Sequence, residues 1–132
     1  MAIMQAKLIS TEGAYLPAIL EIEGERYCVM DEFTVDPRSM PKVGETFDFE
    51  FSNMLDEDES WEFIFQSNPD KKICIEKIEG WKYSAYGKIV EINPVRVDCG
   101  VFIEENVIHT HDEKVIGEFV GFTITRLGGY AI

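Results

Sequence analysis

The chain's two histidines, His109 and His111, stand in "HTHD", two residues apart and just ahead of Asp112. In an extended segment both imidazoles fall on one side, and such a pair beside a carboxylate could share a metal ion. A serine or cysteine nucleophile would also have to draw its base from these two rings. No sequence feature brings Cys99, the nearest thiol, to either of them. The phosphate-binding patterns G-x-x-x-x-G-K-[ST] and G-x-G-x-x-G are missing, as is the nucleophile elbow G-x-S-x-G. These residues predict a chain without catalytic function and without a cofactor. His109 and His111 are expected in a solvated loop, with metal binding the lesser reading.

The carboxylates offer more. There are 25 Asp and Glu against 12 Lys and Arg, a formal net charge of -13, which repels phosphate backbones and anionic lipid surfaces and suits a basic partner. The excess is local: residues 43–70 carry nine acids and no base, whereas residues 71–132 carry nine acids and eight bases. Within the acidic stretch, "TFDFEFS" alternates Phe47, Phe49 and Phe51 with Asp48 and Glu50, and "WEFIF" alternates Trp61, Phe63 and Phe65 with Glu62 and Ile64. Period-two alternation predicts two strands. Joined through "NMLDEDES", they would form an antiparallel hairpin with its rings inside and its carboxylates outside. The expected capture surface is Asp48, Glu50, Asp56, Glu57, Asp58, Glu59 and Glu62, with Trp61 as apolar anchor and Met54 and Leu55 beside it. "DEDE" lacks the glycine and the spaced oxygen ligands of a calcium loop.

A second constellation has the opposite sign. "PDKKICIEKIEGWKYSAYGK" interleaves Lys77, Lys82 and Lys88 with Trp81, Tyr83 and Tyr86, the mixture of cations and rings that holds single-stranded nucleic acid on a barrel face. Glu76 and Glu79 dilute it. An OB-like module that binds an oligonucleotide or small ligand through Lys77, Trp81, Lys82, Tyr83, Tyr86 and Lys88 is therefore the alternative to protein capture. The same strip could also meet the acidic hairpin of a second copy in a head-to-tail oligomer.

Positioning these groups calls for strands almost throughout. They are expected over Tyr15–Ile22, Arg26–Val29, Thr46–Phe51, Trp61–Phe65, Ile73–Ile78, Trp81–Ile92, Val95–Ile103 and Gly117–Leu127, separated by Gly, Pro, Asn and Asp. Glu104–Val115 is either one short helix or a long loop. A length of 132 residues, 45 % of them hydrophobic, suits one domain over 1–132, all-β, a small OB-like or SH3-like barrel with an accessory antiparallel hairpin. "VGETFDFEF" from Val43 and "IGEFVGFTI" from Ile116 agree at a shift of 73 residues, and "ILEIEGERYC" and "IVEINPVRVD" at a shift of 70. Such self-similarity suggests a duplicated β-unit. "AYGKIVEINPVRVDCGVFIE" followed by "VIGEFVGFTITRL" resembles the strand grammar of OB-type barrels, with Gly87 and Gly100 as bending points. The resemblance covers the last third of the chain and implies a fold, not an activity.

Cys28, Cys74 and Cys99 are odd in number and show no C-x-x-C, which predicts reduced and mostly buried thiols. No apolar run would span a bilayer, and "MAIMQAKLIS" lacks the order of a secretory signal, so a cytoplasmic protein with no membrane partner is expected. The functional expectation is an acidic binding protein that captures a basic macromolecule, such as a toxin or nuclease, in the manner of a bacterial immunity or inhibitor protein.

Overall fold

The computed structural model describes residues 3–38 and 40–132. Its strands are β1 (Met4–Thr11), β2 (Pro17–Ile22), β3 (Glu25–Asp31), β4 (Thr46–Phe51), β5 (Met54–Leu55), β6 (Cys74–Glu79), β7 (Lys82–Glu91), β8 (Arg96–Asp98), β9 (Ile103–Glu104), β10 (Phe119–Arg126) and β11 (Gly128–Ala131). One α-helix, α1 (Trp61–Gln66), and one 3-10 turn at Glu113–Val115 interrupt them. The all-β barrel architecture expected from the alternation is present. The chain divides into two compact units, described in turn.

The first unit takes the residues up to Met54, with Ile78–Lys82 and Thr125–Ile132. It holds a closed barrel in the order β1-β2-β3-β11-β4. β1, β2 and β3 form a meander, β4 returns antiparallel to β1, and β11 enters parallel to β3 and antiparallel to β4. Ala6, Leu8, Leu20, Val29, Phe49 and Leu127 have no exposed surface. Phe49 packs edge-on against Phe47, Phe51 and Phe33 at centroid distances of 5.9, 5.0 and 6.2 Å. Each such buried ring contributes about 2–3 kcal/mol through area removed from water.

The second unit takes Leu55–Lys77 and Tyr83–Ile124. Its sheet runs β5-β10-β7-β8-β9, with β6 paired to β7, and it does not close. β6 and β7 pair as the accessory hairpin, whose turn, Ile78–Lys82, belongs to the first unit. Along β7, Tyr83, Ala85, Gly87 and Ile89 are buried while Lys82, Ser84, Tyr86 and Lys88 face outward. Gly87 is a required glycine: a Cβ there would stand 2.5 Å from the Asp98 carbonyl oxygen on β8. Gly100, with φ of +88°, lies in the connection between β8 and β9 and not within a strand.

The two units repeat one another in register. Lys7↔Thr46 and Ala6↔Phe47 across β1/β4 correspond to Lys88↔Phe119 and Gly87↔Val120 across β7/β10. Lys7↔Glu21 and Leu8↔Leu20 correspond to Lys88↔Asp98 and Ile89↔Val97, each ladder slipping at the next residue. Leu20↔Tyr27 and Glu21↔Arg26 correspond to Val97↔Glu104 and Asp98↔Ile103. Gly44, at φ of 91°, donates to Leu8 O at 2.7 Å, and Gly117, at 95°, donates to Ile89 O at 2.8 Å. The Gly-Glu match at a shift of 73 therefore aligns true counterparts. The upstream match at a shift of 70 is corrected, because it laid β2 on β7, whereas β1 is the counterpart of β7. It misled because Glu21–Arg26 and Glu91–Arg96 are both cross-strand ion pairs beside a turn, a pattern that many hairpins share.

The hairpin expected over Phe47–Phe65 is also corrected. β4 forms, with Phe49 and Phe51 buried and Phe47 half-buried, but Trp61–Gln66 is helix. Both edges of β4 are taken by β1 and β11, leaving none for a strand at 61–65. Ser60 caps the helix, its hydroxyl accepting from Phe63 N at 3.1 Å, with Glu62 in the first turn. Of that helix only Ile64 is buried, and Trp61 and Phe63 are 52 % and 48 % exposed. Val95–Ile103 breaks into β8 and β9, and Glu104–Val115 is mostly loop.

Candidate functional site

The open side of the second unit is a cleft of about 470 Å³. Leu55, Asp56, Glu57 and Glu59 form one wall, Asn106–His109 the other, and Trp61, Ile64 and Phe122 complete it. β10 positions the first wall. The Asp56 amide donates to Thr123 O at 3.0 Å, and the Glu59 carboxylate accepts from Thr123 N at 2.7 Å and from Thr123 Oγ1 at 2.8 Å. Glu59 is thus held against β10 while still lining the cleft. Asp56 Oδ1 accepts from Asp58 N at 2.9 Å, a tight turn that leaves Glu57 and Asp58 exposed.

The remaining predicted acids separate. Asp48 and Glu50 lie on β4 of the first unit, where Gln5 Nε2 donates to Asp48 and the Tyr130 hydroxyl donates to Glu50 at 2.8 Å. That hydrogen bond to a carboxylate holds the Tyr130 phenol above its ordinary pKa. Asp56, Glu57, Asp58 and Glu62 belong to the second unit. Among the described residues, every salt bridge lies outside residues 43–70, so no lysine or arginine neutralises these carboxylates.

The basic strip is likewise divided. Tyr83 is 3 % exposed and fills the core, so its ring cannot serve as a stacking platform. Tyr86 is half-buried, with Lys72 Nζ 4.9 Å from its ring centre and Lys88 Nζ 5.8 Å from that of Phe119. Glu76 beside Lys72 raises that ammonium's pKa. Lys77 and Lys82 are exposed, and Trp81 is half-buried at its turn. His109 and His111 both border a small pocket with Asn93 and Pro94, where His111 Nδ1 lies 2.5 Å from Asn93 Oδ1. Among the described residues no three His, Cys, Asp or Glu side chains converge as metal ligands.

Sequence reasoning missed the wall at Asn106–His109. Its signal was the repeat itself: aligning "AKLI" with "GKIV" makes β7 the counterpart of β1, and so the segment after β9 the counterpart of the end of β3. Cys28 and Cys99 are buried, Cys74 is half-buried, and no disulfide joins them. Burial pushes the Cys74 and Cys99 thiols up, Cys99 far the more. A thiol reagent at neutral pH should label Cys74 first and reach Cys28 and Cys99 only on unfolding; equal labelling of all three in the native protein would contradict this burial.

Comparison with models of known families, with curated proteins and with solved structures gives no match for this chain. No helix among the described residues is long and apolar enough to cross a membrane.

Proposed function

We propose that the chain is a non-catalytic acidic binding protein that captures a basic protein, a cationic toxin or nuclease being the type of partner that such an immunity or inhibitor protein would meet. The observation that carries this reading is the rim of the second unit's cleft. Asp56 and Glu57 line that cleft with the half-exposed Trp61, Asp58 and Glu62 are their neighbours in the chain, and none of these four carboxylates forms a salt bridge among the described residues. Like charges held close are unfavourable, and a positive partner relieves them, whereas exposed aromatic surface supplies the apolar centre that a charged rim needs. The hairpin is not required, because helix α1 presents Trp61 where a strand was expected to.

The test is quantitative binding of the full chain to panels of small basic and small acidic proteins across a salt series. Binding confined to the basic panel and weakening with salt is expected. Changing Asp56 and Asp58 to Asn and Glu57 and Glu62 to Gln should slow association about 10- to 100-fold. Trp61→Ala should speed dissociation by a factor on the order of 30. A neutralised rim that binds as well as the native one would end this reading.

A further inference from the structure

The first unit shows what its seam needs. There the amides of Met30 and Glu32 donate to Leu127 O at 2.8 Å and Gly129 O at 3.1 Å, and β11 seals the barrel against β3. Continuing the same offset past Glu104, where the ladder ends and the chain bends with Asn106 at φ of 68°, sets in the places of Met30 and Glu32 the amides of Val107 and His109. These two amides make no hydrogen bond among the described residues. They border the cleft, with Leu55 and Asp56 across it. The second unit is therefore the same barrel with its seam unsealed.

We infer that this seam is a strand-addition site, in which an extended basic segment of a partner protein pairs with the main chain at Val107–His109 and sets its lysine or arginine side chains against Asp56 and Glu57. This rests on the capture reading above and specifies its mode. Main-chain pairing supplies affinity in such additions, and alternate side chains supply selectivity. An extended segment points successive side chains to opposite faces. One set would cover the apolar floor at Ile64 and Phe122, and the other would reach the carboxylate rim. In the first unit β11 supplies the main-chain partner of the corresponding edge; in the second unit the strand that holds β11's place, β5 on β10, ends at Leu55 and makes no pairing with Val107–His109 among the described residues. Charge selects the occupant: a neutral or acidic strand would bring no counter-charge to Asp56, Glu57 and Asp58, and a second copy of this chain, at -13, would be repelled.

Three probes test this with the full chain at low salt: a short peptide alternating lysine and valine, the same peptide N-methylated at alternate amides, and oligolysine of equal charge. The unmodified alternating peptide is expected to bind at least about tenfold tighter than either control. It should also slow hydrogen exchange at the Val107 and His109 amides by about tenfold or more. Because the backbone change is made in the peptide, folding of the protein is not at stake. Equal binding of all three without added protection would overturn strand addition while leaving charge capture standing. Binding of none would overturn it too, and capture would then be decided by the protein panels. Protection of both amides without peptide, growing with protein concentration, would show a second copy in the seam and also refute the inference.

Discussion

Gly129→Ala is expected to lower the stability of the protein by about 3 kcal/mol or more, read as a shift in the urea midpoint at unchanged slope. A Cβ on Gly129 would stand 2.0 and 2.4 Å from Cζ and Cε1 of Phe49 and 2.7 Å from the Glu50 carbonyl oxygen. Neither neighbour can give way cheaply. Phe49 has no exposed surface and is hemmed in by Phe33, Phe47 and Phe51, and the Glu50 carbonyl belongs to the β4 main chain that pairs with β11. Overpacking at such a contact forces backbone shifts, and here the backbone that must shift closes the barrel. Wild-type stability in the alanine variant would show that β11 lies farther from β4 than this packing requires.

The same glycines explain why part of the fold was hidden in the sequence. "GGYA" has neither alternation nor β-branched residues, so β11 reads as a tail; only the close approach to Phe49 makes glycine the fitting residue. β1 was passed over for a related reason, since its inward residues, Ala6 and Leu8, give a weak alternation beside exposed Ile3 and half-buried Ile9. By contrast β4, β7 and β10 carry strong alternation against a single buried face, and they formed where expected. "WEFIF" shows the limit of that signal. Five residues of aromatic alternation lost to a serine cap and to the absence of any free strand edge, and pairing partners are non-local facts that a local period does not contain.

The candidate site was legible in its charge and not in its shape. The run of acids from Asp56 to Glu62 was visible at once, but its partition was not: Glu59 turns inward to Thr123, while Asp48 and Glu50 belong to another unit. The cleft arises from a difference between two copies of one β-unit, the first sealed by β11 and the second left open. That difference becomes readable only when β1 is matched to β7, and the Glu–Arg pairs flanking two unrelated turns drew the alignment one strand away.

Asp31→Ala should be of comparable severity, costing on the order of 3 kcal/mol in the same measurement. Asp31 has no exposed surface, yet its carboxylate faces no cation; it accepts from Phe33 N at 3.0 Å, from Thr34 N at 2.9 Å, from Thr34 Oγ1 at 2.8 Å and from the Thr11 hydroxyl. It thereby pins the chain leaving β3 beside the seam, where Asp31 lies opposite Gly129. Alanine would strand two amides and two hydroxyls without their acceptor, and a buried donor left unmade costs more than the bond it formed contributed. Asp31→Asn should be milder, because one acceptor oxygen remains for the amides and the two hydroxyls can rotate to accept from the new NH2 group. The second unit carries Ile108 at the corresponding position, also buried, so its loop lacks this anchor. This network fastens the seam of the closed barrel and has no counterpart at Ile108 in the second unit, and equal stability of the native, Asn and Ala forms would show that the Asp31 carboxylate does not fasten that seam.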